Sequence, residues 1–199
     1  PGQSEWPESL DDLAAFGEDL DPIGGAMGAP LGLWVRGAGR LDELAATAIA
    51  VVGARTCTTY GAEVAGDLAA DCADAGFTII SGAAFGIDAQ AHRGALSLER
   101  PTIAVLACGT DVDYPRAHAA MLSRIGAEGL IVSEYPPGTP PLKHRFLARN
   151  RLIAGLSLAV VVVEAARRSG SLNTLHWADQ LGRATMAVPG PVTSQQSGG

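Results

Sequence analysis

The residues best equipped for chemistry lie between positions 143 and 171. Lys143, Arg145, Arg149 and Arg151 surround Phe146 and Asn150 in the run KHRFLARNR. A fully apolar stretch at 158–163 follows, ending in Glu164, the pair Arg167-Arg168 and the turn Ser169-Gly170-Ser171. Guanidinium groups fork onto phosphate oxygens. Small polar turns ahead of a helix offer backbone N–H groups to an anion. Together they suit a phosphate-bearing ligand, either a nucleotide or a nucleic-acid strand. Ser171 is also an ordinary helix cap, so the turn alone carries little.

Other strand ends repeat the pattern. Gly53-Ala54-Arg55, Ser81-Gly82, Cys108-Gly109-Thr110 and Ser133-Glu134 each close an apolar run. Glycine there lets a ligand approach the backbone, although turns favour Gly and Ser in any case. The turn 81–88 reads SGAAFGID, with Gly86 and a phenylalanine, Phe85, that could stack on a base or tuck into the core. Asp88 and His92 stand four apart, as a catalytic dyad or, more economically, a structural pair. Glu134 and Glu164 occupy positions suited to a general acid or base. Carboxylates so near arginines more often order them through paired hydrogen bonds. No GxGxxG follows the first strand and no GxxxxGK[ST] is present, which argues against a dinucleotide oxidoreductase and a P-loop NTPase.

The elements that must position these residues follow from periodicity. Apolar runs at 48–52, 77–80, 102–107, 130–132, 159–163 and 185–188 predict strands. Helical spacing predicts helices over 61–75, 87–98, 113–125 (with Pro115 in its first turn), 147–155 and 171–181. Strands apolar on both faces, alternating with helices, imply a covered parallel sheet. The expected fold is a doubly wound α/β domain with a mainly parallel, extended Rossmann-like sheet over 46–193. An acidic Gly/Pro-containing extension precedes it over 1–45, with a possible edge strand at 31–35 and a partly ordered leader over 1–30. A short tail follows at 194–199.

Charge is unevenly spread. The net charge is −7, and residues 1–48 alone hold nine acids against two bases. Residues 143–168 hold six bases against one acid. Because screening limits a field to about 8–10 Å, a local basic patch can bind phosphate on an acidic chain. Three cysteines without CxxC spacing suggest neither a disulfide framework nor a zinc site, and a reducing, cytoplasmic setting is expected. No apolar run reaches 18 residues, so no membrane span is expected, and no signal peptide is visible.

Seven motifs resemble one family: VVGAR at 51–55, SGAAFGIDAQAHRGAL at 81–96, TIAVLACGTDVDYP at 102–115, SEYPPGTPP at 133–141, FLARNRLIAGLS at 146–157, EAARRSGSLNT at 164–174 and GRATMAVPGPV at 182–192. In order and spacing they are similar to the Rossmann-like core of the DNA-processing DprA (Smf) family. The resemblance implies a non-catalytic, typically dimeric protein without metal or cofactor. It implies binding of single-stranded DNA and delivery of that strand to the RecA recombinase during uptake of foreign DNA. It also implies that Arg55 and the segment 143–151 take the phosphates while the Ser-Gly turns line the pocket. Phe85 departs from the pattern, standing where many members carry Lys or Arg, and Leu147 replaces a usual proline.

Two other readings share the fold. A phosphoribohydrolase-like enzyme would need a PGGxGTxxE turn, whereas SGSLNTLHW lacks the glutamate after Thr174, and GGAMG at 24–28 precedes the first strand. A nucleotide-sensing domain would use the same pocket without chemistry.

Overall fold

A computed structural model of the protein describes residues 5–16 and 28–199. The GGAMG sequence lies outside the described residues apart from Gly28. Among the described residues seven strands form one sheet: β1 (Trp34–Gly37), β2 (Ala48–Val52), β3 (Thr78–Ser81), β4 (Thr102–Val105), β5 (Leu130–Ser133), β6 (Ala159–Val162) and β7 (Ala184–Ala187). Their order is β1-β5-β4-β3-β2-β6-β7. Only β1 runs antiparallel, pairing Trp34 with Ser133 and Gly37 with Leu130. The remaining neighbours are parallel, with Val52 opposite Val162 and Ile80 opposite Ile103. This is the expected doubly wound α/β sheet. The edge strand expected at 31–35 is found at Trp34–Gly37, where it joins the sheet.

Among the described residues six α-helices are interleaved with the strands: α1 (Leu41–Ala45), α2 (Thr59–Asp74), α3 (Ile87–Ser97), α4 (Ala119–Glu128), α5 (Arg145–Gly155) and α6 (Ser171–Gln180). Alternation along the strands divides the core. Ala48, Ala50, Val52, Val160 and Val162 face one layer, which holds α5 and α6. Val51, Ile79 and Ala104 face the other, covered by α2, α3 and α4. Thr58 opens α2 by accepting a hydrogen bond from the Gly61 N–H, and Gly76, at φ +91°, stops it in the left-handed region.

One expectation is corrected. The segment 113–125 is not one helix: Arg116–His118 forms a 3-10 turn after Pro115, and α4 begins only at Ala119. Proline at 115 sits ahead of the turn, not inside a helix. Within the leader, expected to be partly ordered, residues Glu8–Phe16 form a 3-10 helix whose Leu10 and Leu13 are fully buried. Phe16 meets Trp177 of α6 edge-on at 5.2 Å.

Candidate functional site

The sheet reverses direction at β2. From β2 the chain steps outward through β3, β4 and β5, then returns to lay β6 and β7 on the other side. Ligands in open α/β sheets bind at such a reversal, beyond the carboxyl ends of the strands. There, between the loops after β2 and β6, lies a cavity of about 360 Å³. Gly53, Arg55, Phe146, Arg149, Asn150 and the Ser169-Gly170-Ser171 turn all line it, so the fold gathers half of the sequence-selected residues in one place.

Each wall has a local cause. A Cβ on Gly53 would stand 2.6 Å from the Ile87 side chain and 2.8 Å from the Glu164 carbonyl, so β2 closes against α3 and β6 only with glycine there. Arg55 is exposed at the mouth, its guanidinium 5.1 Å from the centre of the Phe146 ring. The Asn150 amide donates to the Gly170 carbonyl at 3.1 Å and to Asn173 Oδ1 at 3.3 Å, fixing the turn that starts α6. Ser169 and Ser171 hydroxyls meet at 2.7 Å.

The turn 81–86 forms the opposite lip. Ser81 is buried and donates to the Val51 carbonyl at 2.7 Å. The N–H groups of Gly82 and Ala84 donate to Asp88, at 3.2 and 3.4 Å. Gly86, at φ +78°, allows close approach to the Ala54 and Arg55 carbonyls that a side chain would prevent. Phe85 emerges from this turn and is 49% exposed, which settles its surface position.

Arg149 and Arg151 do not present free guanidinium groups. Arg149 is 4% exposed and donates to the carbonyls of Gly82 (2.8 Å) and Val105. It is a strut behind the cavity, and burial lowers its pKa to about 10, which leaves it charged at neutral pH. Arg151 is 1% exposed and donates to both oxygens of Glu134, at 2.9 and 2.6 Å, and to the Gly28 and Ala148 carbonyls. Their helix explains this. Between sheet and outer layer, α5 buries everything from Ala148 to Gly155, so whatever stands there turns inward.

The remaining candidates scatter. Ser81, Gly86 and Gly109 line no part of the cavity, and Gly109 is buried with its N–H on the Thr139 carbonyl. Lys143 is exposed outside the cavity. Arg145 lies 4.6 Å over the Tyr135 ring and donates to the Pro140 carbonyl. Gly82 and Phe85 flank a smaller adjoining recess shared with Arg55 and Phe146.

Neither proposed acid–base arrangement assembles. Glu164 is buried and accepts from the Thr58 N–H (2.9 Å) and hydroxyl (2.6 Å), so it anchors the loop before α2. Asp88 holds the 81–86 turn, and burial pushes its carboxyl above the usual carboxylate range. His92 is not its partner: Nδ1 lies 2.9 Å from the Thr102 hydroxyl, and burial lowers its pKa to about 3. Among the described residues no cluster of three or more metal-ligating side chains occurs. No described helix is long and apolar enough to cross a membrane.

Three residues outside the sequence-selected set contribute as well. Arg168 lines the cavity beside the Ser-Gly-Ser turn, and its adjacency to that turn was the available signal. Tyr114 meets Phe146 at 5.6 Å, and nothing in its own neighbourhood marks it. Gln196 lines the cavity from the tail, with its amide on the Thr56 carbonyl and its own carbonyl accepting from the Ala165 N–H. The chain reaches back to the site only in three dimensions.

Comparison with known proteins agrees with this geometry. The family described as DNA recombination-mediator protein A matches residues 2–199. A putative DNA processing protein DprA of Mycobacterium tuberculosis is 52% identical over all of this chain and 51% of its own length. The chain thus spans about half of that relative. Among solved structures, DNA processing protein A of Streptococcus pneumoniae superposes with TM-score 0.85 at 37% identity, over 98% of this chain and 63% of that one. That of Helicobacter pylori superposes at 0.83 and 30% identity, over 97% and 81%. The latter structure addresses its protein's single-stranded DNA binding mode.

Proposed function

Because the chain belongs to the DNA recombination-mediator protein A (DprA/Smf) family, we propose that its switch-point cavity binds single-stranded DNA and performs no chemistry on it. The observation that carries this reading is the placement of Arg55. Its guanidinium is exposed at the cavity mouth, rests on an aromatic ring and meets no carboxylate within 4 Å among the described residues. A strand phosphate there meets Arg55 on one side and Arg168 on the other. The Ser169-Gly170-Ser171 turn that opens α6 lines the same place. Arg149 adds a buried positive charge behind them, where water screens it little. Single-strand binders combine such a cationic groove with aromatic faces. The engagement of Glu134 and Glu164 in structural hydrogen bonds supports binding over hydrolysis.

On the same family footing, the bound strand is delivered to a RecA recombinase, and the protein acts as a homodimer. Titration of labelled oligo-dT at several salt concentrations tests the binding site. Arg55→Ala should bind more weakly, with a salt slope shallower by about 0.7 per lost phosphate contact. Unchanged affinity and slope would remove Arg55 from the interface. Release of adenine from AMP would overturn the non-catalytic reading. Delivery predicts faster assembly of RecA on a strand already covered by a single-strand-binding protein; no acceleration would remove that part.

A further inference from the structure

Beside the cavity lies a shallow recess formed by Phe85, Tyr114, Pro115 and Phe146, with Arg55 on the border between the two. Two of its rings are left open to solvent, Phe85 at 49% and Tyr114 at 40%. Both are held in place. Phe85 meets the His118 ring edge-on at 4.7 Å, and Tyr114 meets Phe146 at 5.6 Å with the planes 50° apart. His118 is buried, with Nδ1 3.0 Å from the carbonyl of Ala83 in the turn that carries Phe85. Neither ring belongs to the core, yet neither is loose. No carboxylate lines the recess.

We infer that this recess is a nucleobase shelf, on which a base next to the phosphate held at Arg55 stacks against Phe85 and Tyr114. The inference rests on the reading of the cavity as a single-strand site. Continuity selects the occupant: Arg55 and Phe146 border both cavity and recess, so a chain leaving the cavity on this side crosses the two open rings. The recess holds only about 30 Å³, far less than a base. The base therefore lies across the rim and is not inserted. A face-to-face contact with the rings does not itself read the hydrogen-bonding pattern of the base. The shelf accepts every base and favours those with the larger face.

The test compares oligo-dT with an abasic strand of equal length, which keeps the phosphates and removes the bases. Phe85→Ala and Tyr114→Ala should each weaken oligo-dT binding by roughly 5- to 150-fold, the equivalent of about 1–3 kcal/mol per stacked base. Affinity for the abasic strand and the salt slope should stay at wild-type values. Phe85→Trp and Tyr114→Phe keep the faces and should retain binding, which separates lost stacking from a folding defect. Alanine variants that bind oligo-dT like wild type, or that lose both strands alike, would overturn the shelf while leaving the cavity reading intact. A wild-type protein that binds neither strand would overturn both.

Discussion

Replacing Arg151 with alanine should destabilise the fold by about 3–5 kcal/mol and leave the salt dependence of DNA binding in place. The side chain is 1% exposed and donates four hydrogen bonds, to the two Glu134 oxygens and the carbonyls of Gly28 and Ala148. Alanine removes all four donors. It also strands the Glu134 carboxylate, whose side chain is only 12% exposed. Breaking a buried pair from one side is costly because the surviving charge has no partner and little water. Against a typical total of about 5–15 kcal/mol, that is a large share. With a urea dependence of about 2 kcal/mol per molar, the midpoint should fall by about 1.5–2.5 M. Urea melts followed by far-ultraviolet circular dichroism measure this. Oligo-dT titration of the folded variant supplies the second readout. A double replacement, Arg151→Met with Glu134→Leu, should recover much of the loss, since it leaves no unpaired charge. The reasoning is refuted if Arg151→Ala keeps wild-type stability within about 0.5 kcal/mol while its salt slope drops by about 0.7. That outcome would mean the guanidinium reaches a phosphate.

Two further expectations concern buried groups. Glu164→Gln weakens the acceptor of two hydrogen bonds from Thr58 and should lower stability by about 1–3 kcal/mol. Oligo-dT affinity should not change, and a loss of binding at unchanged stability would place Glu164 in the interface instead. His92 stays neutral in the fold, with its pKa lowered to about 3 by burial, while in the unfolded chain it protonates near the ordinary histidine value of 6.5. Between these values the unfolded state holds the extra proton, so stability falls as pH drops through that window. This one group contributes at most about 1.4 kcal/mol per pH unit. Asp88, raised by burial, acts in the opposite sense because the folded state takes up its proton first. His92→Gln should therefore flatten the decline of the urea midpoint between about pH 6 and pH 4; an equally steep decline in the variant would refute the assignment.

The strands were legible because burial on both faces leaves an unbroken apolar run. The strand expected over 48–52 is β2, residue for residue. Helix positions followed from spacing and from glycine stops, as at Gly76. What failed was what depends on distant partners. Arg151 reads as a phosphate ligand until Glu134, seventeen residues earlier, is seen to clasp it. Asp88 and His92 stand at the right spacing for a pair, but burial gives each a nearer partner on another element. The leader looked weakly structured because its amphipathic signal is short. Leu10 and Leu13 suffice to anchor it, since α5 offers Gly155 beneath them: a Cβ there would stand 3.0 Å from Leu10. Gln196 carries no local signal at all.

The chain's acidity bears on why an anion can still approach. Four of the six described acids of the N-terminal part are drawn to two cations: Asp12 to Arg183, and Glu5, Asp42 and Glu43 to Arg40. Arg40 lies between β1 and α1, and Arg183 directly precedes β7. Those strands are the two edges of the sheet; β7 lies beside β6, but Arg183 stands at its amino end, whereas the cavity opens beyond the carboxyl ends of β2 and β6. From β1 to β2 is four strand spacings, about 19 Å, roughly twice the screening length at physiological salt. At the centre the balance is reversed: Arg55 and Arg168 stand in solvent, and Arg149 keeps its proton behind them. Asp88 offsets Arg149 only in part, because burial disfavours the charged carboxylate. A net charge of −7 therefore coexists with a positive cavity mouth, and the sign that an approaching anion meets is set by local placement rather than by the total.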